Sequence, residues 1–531
     1  MKTAVIDSIS YERAHASFKT LSHEVDSVFY ILQKAGYVDA EIFPIEKKND
    51  SLYFARIGLG KKFRAIKIYY ETLPVSKKLL EQIAMEVRPE YFSVYFPKVE
   101  HVLKLLNNEI ANRGRPFSFL QLTKIRKGEG DTLLANLGST ISNPRKVDEI
   151  AVKGYEKFPV SYITYFLGIK KGKPFNKKLL EEKVGRLQNL PFAESIRAPE
   201  VQFTKDSTTV YLYLKKERSN TFDGFLGFSN DADENKLKLT GHIDFLLLNN
   251  LDYGESLNVQ YRADGEEQVN FRAELDLPYL FQTPIGLSLG LEIFKKDSTY
   301  ITVEQHVRAK YRFGSKITTY VGFRKMESNN LLEEVFAGNI VEDYVSNYID
   351  VGGAYIDYSR FGGLFPVKTI IEIDLGLGKR DRSGNKSSQF IGSINAGHVF
   401  RLNRRNNIYL HNESAIFSSD NPLTNELFRL GGIHSIRGFA ENSIFASLFS
   451  VTQTEYRYIL SSNMYVHSLI DYAYYENRVF GLKENLYGIG FGFGLKSDAG
   501  LLSINFANGK ADGQNFEFSN TKVHLSLRTK F

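Results

Sequence analysis

From about Ser219 to Phe531 the chain carries no helical periodicity. Apolar and polar residues alternate instead, in segments bounded by Asn, Asp, Gly and Lys turns, as half-buried strands do. Sixteen segments are legible: 221–230, 236–249, 255–263, 267–278, 284–295, 299–312, 316–326, 344–359, 367–379, 387–402, 406–418, 447–460, 463–476, 484–497, 500–508 and 516–531. Each strand with its turn takes about twenty residues, more than the roughly 9–11 that a tilted strand needs to cross a bilayer. Long alternating strands in even number predict an all-β, antiparallel, 16-stranded transmembrane barrel over 218–531. Two segments assign their own faces. In 485–496, Tyr487, Ile489, Phe491, Phe493 and Leu495 fall on one side and Gly488, Gly490, Gly492 and Gly494 on the other. The aromatic side is expected to face lipid, and the glycine side to leave lumenal space. In the last segment Val523, Leu525, Leu527, Thr529 and Phe531 alternate with Lys522, His524, Ser526, Arg528 and Lys530. So charged a face needs the water or partners of a lumen.

Composition agrees. Aromatic residues make up 13%, with 31 Tyr, 40 Phe and no Trp, so Tyr must supply the polar-tipped interfacial ring. A mean hydropathy of -0.27 resembles that of a water-soluble protein, but lipid-facing and lumen-facing residues average to the same value in a barrel. No apolar run is long enough for a transmembrane helix. With no Cys there is no disulfide, thiolate metal site or cysteine nucleophile. A net charge of +7 over 531 residues gives no sign of a nucleic-acid partner. The 10 His show no metal-ligand spacing. Gly58-Leu59-Gly60-Lys61 lacks the full spacing and the following Ser or Thr of a phosphate loop, and no Gly-x-Ser-x-Gly elbow occurs. No catalytic, cofactor-binding or metal-binding residue is expected, and the chain reads as a non-enzyme.

Residues 1–217 are different: helical and strand patterns alternate. Leu21, Val25, Val28, Phe29 and Leu32 set a helix over 18–35 that Gly36 stops. Strands follow at 53–57 and 63–70, then helical patterns near 76–86 and 97–112. A third unit opens with Val147–Lys153, continues through a helix over 177–190, and ends in strands at 200–204 and 208–214. A strand–helix–helix–strand–strand unit recurring about every 75 residues resembles the POTRA, or polypeptide-transport-associated, module. The resemblance implies α+β modules at 1–61, 62–145 and 146–217, the first incomplete. Their unpaired strand edges would accept extended chains through backbone hydrogen bonds; the same units also serve as spacers or docking sites. At the N-terminus Lys2 mimics a signal peptide, but Asp7, Glu12 and Arg13 interrupt any apolar core. An exported barrel needs such a signal, so the numbering is expected to omit a cleaved one and to omit further module residues.

One stretch between strand segments is neither strand nor ordinary turn: Gly431-Gly432-Ile433-His434-Ser435-Ile436-Arg437-Gly438-Phe439-Ala440-Glu441. Downstream, Gln453, Glu455 and Arg457 share the polar face of the twelfth segment, and in the thirteenth Asp471 lies opposite Ile470 and Tyr472. The Arg-Gly-Phe core, the Glu455-x-Arg457 and Leu469-x-Asp471-x-Ala473 wall motifs and the terminal Phe531 resemble the outer-membrane assembly and translocation barrels, the superfamily of BamA, TamA and the two-partner secretion pores. Leu469 and Ala473 replace that pattern's Phe and Gly. The resemblance implies that a loop over 419–446 folds into the lumen, where Arg437 pairs with Glu455 and Asp471, Gly438 permits close approach and Phe439 packs inside. It implies a weakly zipped lateral seam between the first and last strands, at Phe222, Gly224 and Leu226 and at Leu525, Leu527 and Phe531. It also implies insertion or translocation of unfolded outer-membrane or secreted polypeptides from the periplasm of a Gram-negative bacterium. Lipid, accessory lipoproteins and a periplasmic or inner-membrane companion would be partners. A dedicated pore for one passenger and a passive solute pore are the alternatives.

Overall fold

The computed structural model describes residues 5–6, 8–72, 75–230, 237–263, 268–332, 341–359, 364–432, 435–497 and 500–530. The chain divides into two compact units. One comprises Met1–Ile150, Lys171–Glu181 and Val201–Val210, and the other Ala151–Lys170, Glu182–Glu200 and Tyr211–Phe531. The stretch read as a third module thus contributes to both.

In the first unit, helix Phe18–Lys34 begins where the Ser17 and Thr20 side chains cap each other's backbone N–H groups, and it buries Val25, Val28 and Leu32. Two short hairpin-like pairings, Glu41–Ile42 with Ile57–Gly58 and Glu46–Lys47 with Tyr53–Phe54, take the place of the single strand expected over 53–57. A five-stranded sheet follows, in the order Glu86–Val87, Tyr91–Tyr95, Ala65–Tyr69, Thr132–Thr140, Phe119–Lys127. Helices Lys77–Ile83 and Val99–Asn112 flank its strands in sequence. Its core is Phe63, Ile66, Ile68, Leu80, Phe92, Val94, Leu106 and Ile110.

The second unit contains a closed barrel of sixteen antiparallel strands in sequence order. They are β1 Thr221–Asn230, β2 Leu237–Leu248, β3 Ser256–Ala263, β4 Val269–Leu277, β5 Ile285–Lys296, β6 Tyr300–Phe313, β7 Ile317–Asn330 and β8 Tyr344–Tyr358. The second half is β9 Val367–Arg382, β10 Asn385–Arg401, β11 Asn406–Ser419, β12 Leu448–Ser461, β13 Met464–Asn477, β14 Leu482–Lys496, β15 Gly500–Ala511 and β16 Lys522–Lys530. Each falls on a segment read from the sequence. The last starts later than expected, because Phe518–Asn520 coils into a 3-10 turn. Ile489 and Phe491 are exposed on the outer face of β14, whereas Gly488, Gly492 and Gly494 are buried. Val307, Val321, Phe323, Ile349, Val351, Leu375 and Leu377 extend an exposed apolar surface across β6 to β9. A monomer in water rarely exposes so large a patch, whereas a bilayer requires it. Among the described residues no helix is long and apolar enough to cross a membrane.

Candidate functional site

The connection from β11 to β12 does not simply turn. It makes a 3-10 turn at Thr424–Glu426 and a short hairpin of Phe428–Leu430 with Ile444–Ala446. The segment that carries the Arg-Gly-Phe sequence is the tip of that hairpin. Ile433 and His434 lie outside the described residues.

Arg437 is buried at the tip. Its Nε donates to Asp471 Oδ2 at 2.8 Å and its Nη2 to Asp471 Oδ1 at 2.5 Å, a two-pronged fork on one carboxylate. The third arm, Nη1, donates to Glu455 Oε1 at 2.5 Å, and the Arg437 backbone N–H reaches Asp471 Oδ2 at 3.0 Å. Arg457 Nε takes the other Glu455 oxygen at 2.7 Å. Alternation explains the assembly: Glu455 and Arg457 share the lumenal face of β12, while Asp471 lies between buried Leu469 and Ala473 on that of β13. Two buried acids facing one another would repel without the guanidinium. Desolvating three or four charges is tolerated only because the hydrogen bonds among them are this complete.

Glycine makes the approach possible. Gly438 has φ +95°, and a Cβ there would come within 2.5 Å of the Asn508 backbone. A Cβ on Gly488 would sit 2.5 Å from the Arg437 carbonyl oxygen. Phe439 lies against Gly509 and packs on the apolar cluster of Leu430, Ile436, Phe449, Val451, Ala473 and Leu486. Residues 437–439, 455 and 471, identified from the sequence, are therefore brought into one place.

Other anchors were not legible. Glu426 accepts from Arg380 Nη1 and from Gln389 Nε2, both at 2.7 Å, and the Glu426–Arg380 pair is nearly completely buried. Asn425 donates to Ser328 Oγ at 2.8 Å and to the Glu342 carbonyl at 2.9 Å. Arg429 stacks over the Phe294 ring at 3.7 Å and faces Glu292. Past the tip, Glu441 pairs with Arg262 of β3 at 3.1 Å. The loop thus reaches walls on β3, β5, β7, β9, β10, β12 and β13. Alternation reveals which wall residues point inward, but carries nothing about which of them meet across a lumen.

The first and last strands meet, β1 pairing with β16. Among the described residues its ladder consists of Thr221 with Lys530 and Phe222 with Thr529. On its other side β1 pairs with β2 all the way from Thr221–Leu246 to Asn230–Leu237. Phe222 and Leu527 are exposed on the outer face, and Gly224 lies on the paired stretch of β1. Phe531 and the side chains of Leu226 and Leu525 lie outside the described residues. Groups that the sequence did not single out complete the closure. Thr529 Oγ1 donates to the Phe222 carbonyl at 2.9 Å, Ser526 Oγ to Asp223 Oδ2 at 2.5 Å, and the Leu527 N–H to Asp223 Oδ1 at 3.2 Å. A polar cavity of about 510 Å3 adjoins this corner, lined by Thr221, Asp223, Asp244, Arg262, Arg272 and Glu441 among others.

Residues 145–215 match the POTRA family model, described as surface antigen variable number repeat. No curated protein matches by sequence. Among solved structures, BamA from Haemophilus ducreyi lacking POTRA domains 1–3 is similar at 15% identity and TM-score 0.52, over 87% of this chain and 99% of that one. CdiB from Acinetobacter baumannii is similar at 13% identity and TM-score 0.52, over 88% and 90%. CdiB from Escherichia coli matches at 15% identity and TM-score 0.51, over 98% and 100%. A POTRA domain followed by a sixteen-stranded antiparallel barrel is the fold that this chain shares with BamA and CdiB.

Proposed function

We propose that this chain is an outer-membrane barrel that inserts or translocates polypeptides, with its POTRA-like modules in the periplasm. The observation that carries the reading is the barrel's closure. Among the described residues the ladder between β1 and β16 has two pairs, so most of their facing edges are not paired to each other through the backbone and a client can add by β-augmentation. The residues before the barrel fit the same role: 1–61 and 62–145 act with the matched module as receivers for unfolded clients. The lumenal loop then serves as structural ballast, pinned through Arg437 to β12 and β13 and through Glu426 to β9 and β10. A passive solute pore fits less well with a lumen crossed by a loop anchored on so many walls. Export of one passenger is the second reading.

Depleting the protein and quantifying the outer-membrane and secreted proteomes tests this. A fall across many β-barrel proteins is expected for insertion, and loss of a single secreted protein for dedicated export. An unchanged proteome with altered solute uptake would overturn both.

A further inference from the structure

At one point of the seam a side chain, not the facing backbone, accepts a strand amide. Among the described residues β1 and β16 have no backbone pair past Phe222–Thr529, yet the Leu527 N–H points toward β1 and finds the Asp223 carboxylate. The neighbouring Ser526 hydroxyl donates to that carboxylate's other oxygen. Asp223 is only 5% exposed, and His242 Nε2 stands 3.5 Å from Oδ1. A carboxylate has lone pairs for several donors and ignores the side chain attached to a backbone N–H. It is also the strongest ordinary acceptor for such a donor. The polar cavity beside it, shared by Asp223, Asp244 and Arg262, leaves room on the lumenal side for another segment of chain.

We propose that Asp223 is a main-chain receptor: it holds the Leu527 amide when the barrel is closed, and takes the equivalent amide of an extended polypeptide that replaces β16. The preferred ligand is a strand with an outward apolar residue donating its N–H and a Ser or Thr hydroxyl one position earlier, as Leu527 and Ser526 do. This rests on the seam being the route for clients, and adds the group that reads the incoming strand.

The test uses the full-length protein in lipid nanodiscs and a fluorescent synthetic peptide with the sequence of residues 521–531, followed by anisotropy. N-methylation at Leu527 removes the backbone proton that Asp223 accepts. N-methylation at Arg528 is the control, because adjacent amides of a strand point to opposite edges. The peptide is expected to bind, to lose at least about ten-fold in affinity when methylated at Leu527, and to keep its affinity when methylated at Arg528. Ser526→Ala in the peptide is expected to weaken binding, and Asp223→Ala in the protein to erase the difference between the two methylated forms. Equal affinity of the plain and Leu527-methylated peptides, or no binding of the plain peptide, would overturn the proposal. If binding follows the Leu527 proton while depletion leaves the proteome intact, Asp223 stands as the receptor and the proposed function falls. The reverse pair of results removes Asp223 alone.

Discussion

A guanidinium buried between two acids persists only while every charge keeps its partner. Arg437→Ala would leave Asp471 and Glu455 facing each other in a confined lumen, and breaking a buried pair in this way costs about 3–5 kcal/mol. The expected result is weaker heat-modifiable migration on gels and a lower unfolding midpoint. Arg437→Lys should fall between, since an ammonium keeps the charge but cannot fork. Unchanged migration of the Ala variant would contradict the pairing as a stabilising contact. A second residue-scale prediction concerns the turn between β2 and β3. The Tyr155 hydroxyl donates to Asp252 Oδ1 at 2.7 Å and holds that carboxyl below its usual range, helped by Lys216 at 3.2 Å. A depressed folded pKa means that the contact stabilises fully above the unfolded value of about 4 and is lost as pH falls through the lower folded value. Amide exchange over 249–255 should therefore be flat from neutral pH to about pH 5 and accelerate only below about pH 4. Asp252→Asn should remove that acid step, whereas acceleration already near pH 6 would point to another group.

At the scale of elements, the barrel strands were legible and the lumenal contacts mostly were not. Period-two alternation repeated sixteen times leaves little freedom, and strands such as β14 declare their faces through a stripe of glycines against a stripe of aromatics. Arg437, Glu455 and Asp471 were legible because their motifs resemble a known pattern. Glu426, Arg429 and Glu441 carry no such mark, and their partners Arg380, Glu292 and Arg262 look like any other inward-facing charge. Asp223 was hidden for a related reason: the apolar Phe222 and Leu527 mark the outer face of the seam, while the bonds form on the lumenal side. The loop yields its own prediction. Glu441→Arg sets like charges against Arg262 and should free the far side of the loop, raising single-channel conductance in planar bilayers several-fold. Combining it with Arg262→Glu should restore the conductance of the unaltered protein. If the double variant conducts like the single one, the pair is not what holds the loop across the lumen.

For the whole molecule, the proposed function requires that the short ladder between β1 and β16, two pairs among the described residues, give way to an incoming chain. Polypeptides are proposed to use the β1–β16 seam, and a chain with no native Cys allows that route to be tested cleanly. Phe222 and Thr529 are register partners, and such antiparallel partners have Cα atoms about 4.5–5.5 Å apart, within disulfide reach. Phe222→Cys with Thr529→Cys, oxidised and then reduced in the reconstituted full-length protein, gives the most direct measurement. Use of the seam by polypeptides predicts that the oxidised form loses client insertion or export by at least about ten-fold and that reduction restores it. Undiminished activity in the fully oxidised form would contradict it.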